Sequence, residues 1–219
     1  MKVEVWADVV CPWCYIGRKR FEKALAQFDG HASVEVVYRS FELDPGAPID
    51  SDMTLDQTLA SKYGLSLAEA QAANERVTKL AAAEGLEFHL ERARPTNTLA
   101  AHRLLQLATV RRIRSAVEER FLRGYFSEGA SLADPKTLVR LSVDAGLKEP
   151  DVRRVLAGQA FTLQVRADES EAAALGLEGV PFFLFDRVRI VSGAQSTEFF
   201  RNVLDMVGGR AAADEVPPT

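Results

Sequence analysis

The chain opens with Val3 and Val5 alternating with polar neighbours, the period of a strand over residues 2–6. The period then lengthens: Cys14, Gly17, Phe21, Ala24, Leu25 and Phe28 recur at helical spacing. They predict a helix over residues 12–28 with one apolar face, ended by Asp29-Gly30. Residues 34–43, Val-Glu-Val-Val-Tyr-Arg-Ser-Phe-Glu-Leu, are β-branched and aromatic enough for a second strand. Strand, helix and strand in that order predict a βαβ unit, its strands parallel and its crossover right-handed.

Asp44-Pro45-Gly46-Ala47-Pro48 breaks this pattern. From residue 55 to 175 the chain is rich in Ala, Leu, Arg and Glu, and helical periodicity predicts helices over 54–63, 66–84, 96–109, 113–126, 135–145, 151–156 and 161–175. Gly64, Gly85, Gly146 and Gly176 are their stops; Ser66, Asp134 with Pro135, and Pro150 with Asp151 are their caps. No fixed period of repetition occurs, which argues against a solenoid. After Gly176, Val180-Pro181-Phe182-Phe183-Leu184-Phe185 is apolar on both faces, as a covered central strand would be, and Asp186-Arg187 turns it into a partner over 188–191. A last helix over 196–207 places Phe199, Phe200, Val203, Leu204 and Val207 on one face. The chain therefore divides into an α/β unit over 1–53 and 176–208, an all-helical insertion over 54–175, and a flexible tail over 209–219.

At 219 residues and 47% hydrophobic, the chain can bury a substantial core. A net charge of −4 offers no basic footprint, so nucleic acid is not an expected partner. Arg18-Lys19-Arg20 and Arg111-Arg112-Ile113-Arg114 read as solvated helix faces. No apolar run approaches the roughly 20 residues that span a bilayer, and the first ten residues lack a secretory pattern. A cytoplasmic setting, where thiols rest reduced, is the expectation.

Only two cysteines occur, in Cys11-Pro12-Trp13-Cys14 at the strand-to-helix junction. Pro12 suits the first helical position, which leaves Cys11 at the N-cap, facing unpaired helix amides and the positive end of the helix dipole. Both favour thiolate over thiol, which should bring Cys11 into the range of about 3.5 to 7.5 seen for such cysteines and make it the nucleophile. Cys14, on the apolar face, should be the shielded resolving thiol. Zinc would need four ligands, and no second cysteine pair is present to complete a site with His31, His89 or His102. An inert disulfide closing so short a loop would gain little loop entropy. Thiol–disulfide exchange is the favoured chemistry, with no metal.

Asp8-Val9-Val10-Cys11-Pro12-Trp13-Cys14-Tyr15-Ile16-Gly17, Pro95-Thr96-Asn97-Thr98, Ala101-His102-Arg103, Gly179-Val180-Pro181-Phe182-Phe183 and Ser192-Gly193-Ala194-Gln195 resemble the FrnE-type, DsbA-like thiol:disulfide oxidoreductases. The resemblance covers nearly the whole chain. It implies a thioredoxin-like fold with a large all-helical insertion, catalysis by Cys11 and Cys14, and a cis Val180–Pro181 peptide beside them. Read without it, Pro181 would be a trans proline opening a strand. Substrate contacts would come from Pro12, Trp13, Val180, Pro181 and Asn97, although helix capping explains Thr96 and Asn97 equally well. His102 falls within a predicted helix, where packing accounts for it as readily as proton transfer. No bound cofactor is implied, glutathione being a candidate redox partner, and the substrate would be a disulfide-containing protein or a small thiol.

Two other functions stand beside this one. The chain also resembles 2-hydroxychromene-2-carboxylate isomerases and kappa-class glutathione transferases, which isomerise or conjugate small aromatic compounds with glutathione. Those commonly carry serine at the position of Cys11 and lack the second cysteine. A redox-switched binding module or chaperone is the third reading. Trp13 stands where strongly oxidising DsbA enzymes carry histidine, so the Cys11 thiolate lacks an imidazolium beside it and the disulfide should be the weaker oxidant. Equilibration against a glutathione redox buffer should give a potential well below the roughly −120 mV of those oxidants.

Overall fold

The computed structural model describes residues 1–49 and 51–214, with the side chains of 210–214 left undescribed. Strand β1 (Lys2–Ala7) leads into helix α1 (Pro12–Ala26), a single-turn 3-10 helix (His31–Ser33) and strand β2 (Glu35–Ser40). Then come α2 (Leu55–Tyr63), α3 (Leu67–Ala83), α4 (Leu99–Val110), α5 (Arg114–Phe126), α6 (Pro135–Asp144), α7 (Glu149–Ala157) and α8 (Thr162–Ala174). Strands β3 (Phe182–Phe185) and β4 (Arg189–Ser192) and helix α9 (Thr197–Asp214) finish the described chain.

The sheet order is β2-β1-β3-β4, with β1 parallel to β2 and antiparallel to β3. All four residues of β3 are buried, as its unbroken apolar run predicts. Asp186 and Arg187 both take positive φ, 45° and 58°, in the three-residue turn over 186–188 that joins the paired Phe185 and Arg189. The pleat sends Val3, Val5, Phe183 and Phe185 to one face, where Phe21 and Ala24 of α1 and Phe200, Val203 and Leu204 of α9 cover them. Trp6, Phe182 and Leu184 occupy the other face under Ala172 of α8. Glu4 shares that second face and is only 1% exposed; Arg39, at 2.5 Å, and Arg187, at 3.2 Å, neutralise it.

Helix α1 belongs to both halves of the molecule. While Phe21 and Ala24 pack on the sheet, Tyr15 and Ile16 enter the core of the helical insertion with Phe88, Leu104, Phe121 and Phe126. The sequence predicts one apolar face for this helix, but the insertion covers a second. For the same reason Arg18, read as part of a solvated face, is 5% exposed: it meets Glu22 at 2.7 Å and the Ser115 hydroxyl at 2.9 Å. Arg114 is buried in the same manner, whereas Arg111 and Arg112 are exposed.

The predicted stops hold where glycine supplies the left-handed turn: Gly64, Gly85, Gly146 and Gly176 have φ between 66° and 101°. Thr54 and Ser66 close full capping boxes with Gln57 and Glu69. Other limits move. Helix α1 ends at Ala26, four residues before Gly30, whose own φ is −82°, so that glycine is not its stop. Helix α4 begins at Leu99, and α7 at Glu149 with Pro150 in its first turn. Helix α9 continues through Gly208 and Gly209 to Asp214, past the predicted end at Val207, because Arg-Ala-Ala-Ala favours helix. The predicted tail over 209–219 is thus helical to 214, and residues 215–219 lie outside those described.

Arg103 explains part of the Ala-His-Arg motif. Its guanidinium reaches from α4 to the carbonyls of Val155, Gly158 and Ala160, the last at 2.8 Å, and so caps the C-terminal end of α7. Arg103→Ala should lower the free energy of unfolding by about 3 kcal/mol, measured by urea denaturation, since several buried carbonyls lose a charged donor together.

Candidate active site

Sequence and structure place the two cysteines where β1 hands over to α1. Cys11 is the N-cap of the helix, with extended φ/ψ of −92° and 113°, and Pro12 opens the first turn. The Cys11 amide donates to the Asp8 carbonyl at 3.3 Å, and its own carbonyl accepts the Cys14 amide at 3.0 Å. Both side chains are free thiols. Each residue is 3% exposed, so Cys11 is no more open to solvent overall than Cys14. The difference is one of direction: Cys11 lines a cleft of about 210 Å³, and Cys14 does not.

Across from the helix tip the Val180–Pro181 peptide is cis. The Cys11 thiol donates to the Val180 carbonyl at 3.7 Å, within reach for sulfur, and Val180 packs against Ala7, Cys11 and Cys14. The Ser192-Gly193-Ala194-Gln195 stretch holds this loop from behind: the Gly193 amide donates to the Pro181 carbonyl at 2.8 Å, and Arg20 of α1 donates to the Ala194 carbonyl at 2.7 Å. Gly17 permits the approach, because a Cβ there would stand 3.0 Å from Pro181 Cγ and 3.3 Å from Ala194 Cα.

Burial, foremost, and the adjoining Cys11 thiol push the Cys14 thiol well above its ordinary value; a hydrogen bond from the Asp8 backbone works against this, and the Asp8 charge works with it. Cys14 is therefore a protonated, sequestered partner at neutral pH. Asp8 lies behind the pair, 1% exposed, and accepts from the Leu43 amide at 2.7 Å and the Thr98 hydroxyl at 3.4 Å. The cleft in front is walled by Trp13, Leu43, Leu55, Leu59, Tyr63, Pro95 and Tyr125. Trp13 is 41% exposed at its mouth, and Pro12 is half-buried beside it. The burial of Tyr125 keeps its hydroxyl protonated, donating to the Arg94 carbonyl at 3.0 Å.

Of the residues singled out from sequence, Cys11, Cys14, Pro12, Trp13, Val180 and Pro181 come together at this junction. Asn97 does not line the cleft. Its Oδ1 accepts the Leu99 amide at 3.0 Å and its Nδ2 donates to the Pro45 carbonyl at 3.1 Å, so it shapes the entry to α4. Thr96 and Thr98, on either side of it, face the cleft instead. Asp8 was not singled out, although a lone charge in Ala7-Asp8-Val9-Val10, directly before the dithiol, is the signal that marks it.

A family model of the DSBA-like thioredoxin domain matches residues 2–205. A probable DsbA oxidoreductase from Streptomyces coelicolor is 46% identical, with 100% of this chain and 92% of that one covered, and superposes with a TM-score of 0.92. The cytosolic disulfide reductase DsbM from Pseudomonas aeruginosa, solved with GSH, is 15% identical over 94% of this chain and 98% of its own, with a TM-score of 0.65. A 2-hydroxychromene-2-carboxylate isomerase is 14% identical over 97% and 98% of the two chains, with a TM-score of 0.71. At such low identity these last two share the fold alone.

The thiols should separate on alkylation. With iodoacetamide at pH 7.5, peptide mass mapping should find Cys11 modified at least about tenfold faster than Cys14, since Cys11 lines the cleft while Cys14 is held protonated away from it.

Proposed function

Because the chain belongs to the DSBA-like thioredoxin domain family and is thus a DsbA-like disulfide oxidoreductase, we propose that Cys11 and Cys14 work as a disulfide reductase or isomerase dithiol. The observation that carries this reading is the placement of Cys11. It caps α1, lines the cleft and stands 3.7 Å from the carbonyl of Val180, with a protonated Cys14 one helical turn behind it.

The exchange runs in two steps. The Cys11 thiolate attacks one sulfur of a substrate disulfide; a Cys11–substrate S–S bond forms, the substrate S–S bond breaks, and the departing thiolate takes a proton from solvent. Cys14 then loses its proton and attacks Cys11 sulfur, which releases the second substrate thiolate and leaves a Cys11–Cys14 disulfide. Two electrons have passed from the enzyme to the substrate. A small thiol such as glutathione returns the enzyme to the dithiol and is itself oxidised. An extended substrate finds the backbone of Val180 and the apolar walls of Trp13, Leu43 and Leu55 beside the nucleophile.

Within the family, the motifs around Cys11, Pro95, Gly179 and Ser192 favour the FrnE-type branch, acting in a reducing cytoplasm where a resting dithiol suits reduction or isomerisation. Two thiols at one helix tip favour exchange over glutathione-dependent isomerisation, which requires no second cysteine.

Reduction of insulin by dithiothreitol tests the proposal. The wild type should accelerate turbidity, and Cys11→Ser and Cys14→Ser should each lose that acceleration. Wild-type protein without effect, or a Cys11→Ser variant that retains it, would favour isomerisation or a binding role instead.

A further inference from the structure

His102 takes no part in the steps above, yet it ties the helical insertion to the turn that carries the dithiol. It stands on α4 with none of its surface exposed, and its Nε2 lies 3.1 Å from Asp8 Oδ1. The opposite carboxylate oxygen already accepts the Leu43 amide, which can only donate, and the Thr98 hydroxyl. Asp8 is therefore ringed by donors, and Nε2 carries a proton toward it. Nδ1 of the same ring is buried without a partner. A neutral ring protonated at Nε2 leaves a bare lone pair there, whereas a doubly protonated ring would strand an N–H, the costlier orphan. The tautomer that fits the pocket is the one that donates to Asp8.

Asp8 sits three residues before Cys11, accepts the Cys11 amide on its carbonyl at 3.3 Å and lines the cleft beside it; its backbone hydrogen bond favours ionisation of Cys14, and its carboxylate charge opposes it. Other ionisable groups face this cluster from each element around it. Glu42, which feels His102, is fully buried and held by Arg166 of α8 at 2.5 Å. Tyr125 of α5 feels Asp8 but donates elsewhere. Cys11 and Cys14 close the cluster from α1. Among the described residues, no cation stands within ion-pair distance of Asp8; His102 is its sole ionisable partner.

Resting on the exchange reading, we propose that His102 is a positioning residue: its Nε2–H pins the Asp8 carboxylate behind the dithiol, and that pinned charge restrains Cys14, prolonging the mixed disulfide at Cys11. The insertion thereby governs how long a substrate stays attached. A slow resolving thiol gives a bound protein time to rearrange its own disulfides, the property an isomerase needs and a simple reductase does not. With His102 removed, the Asp8 carboxylate loses the donor that holds it in place, and the charge opposing Cys14 is no longer fixed there.

Stopped-flow tryptophan fluorescence of the reduced protein mixed with excess oxidised glutathione separates the two steps. The first phase scales with glutathione disulfide concentration; the second is independent of it and reports the attack by Cys14. In His102→Leu the pH midpoint of the second phase should fall by about one unit, about tenfold in rate on its steep limb, with the first phase unchanged. His102→Gln, whose amide N–H can reach Asp8, should restore the wild-type profile. Asp8→Asn should shift the midpoint in the same direction, and adding His102→Leu to it should change nothing more. Should His102→Leu fail to fold, His102→Gln against the shorter His102→Asn carries the same comparison. A second phase that superimposes on wild type, one that slows at every pH in Asp8→Asn, or a His102→Leu shift that survives in the Asp8→Asn background would overturn the assignment. A wild type without either phase would overturn exchange itself, and this role with it.

Discussion

The structure depends on the close approach of one helix tip to one proline loop. Cys11 at the start of α1 can lie against the Val180 carbonyl only because α1 comes within van der Waals distance of Pro181 and Ala194, and Gly17 is what makes room. The approach is held from both sides, by the Gly193 amide on Pro181 and by Arg20 on Ala194. Residues more than 160 positions apart in the chain thus meet as a single rigid feature.

The insertion is built into the same helix. Tyr15 and Ile16 belong to its core, while Phe21 and Ala24 belong to the core of the sheet. Charges follow that seam: Arg18 with Glu22 and Glu118, Arg39 with Glu4 and Asp168, Glu42 with Arg166, and Asp8 with His102. Burying so many ionised groups is tolerable only because each has a partner of opposite sign or a set of donors. The seam therefore requires complementary residues from both halves, and a helical segment of merely similar composition would leave those charges unpaired.

Much of the architecture was legible because it is written in local rules. Gly64, Gly85, Gly146 and Gly176 stop helices since their left-handed φ excludes most side chains, and Ser66 or Asp134 begins one since its oxygen satisfies free amides. Local rules are silent where the partner lies far away in the chain. Arg18 looks like a surface charge until α5 covers it, and Glu4 like the solvated half of an alternating strand until Arg39 and Arg187 close over it. Asn97 and Thr98 are equivalent as polar residues before a helix, yet one turns toward the Pro45 carbonyl and the other toward the cleft.

What the sequence determined alone was the chemistry and the order of parts: a lone Cys-Pro-Trp-Cys at a strand-to-helix junction, a helical segment between two halves of a sheet, and a proline before the central strand. Those rest on spacing and backbone preference, which act over a few residues. Tertiary structure decided which residues wall the cleft in front of Cys11, which buried charges pair across the seam, and that a histidine of the insertion rests on Asp8. Such outcomes depend on which surfaces exclude water together, a property of the packed chain that no stretch of it carries alone.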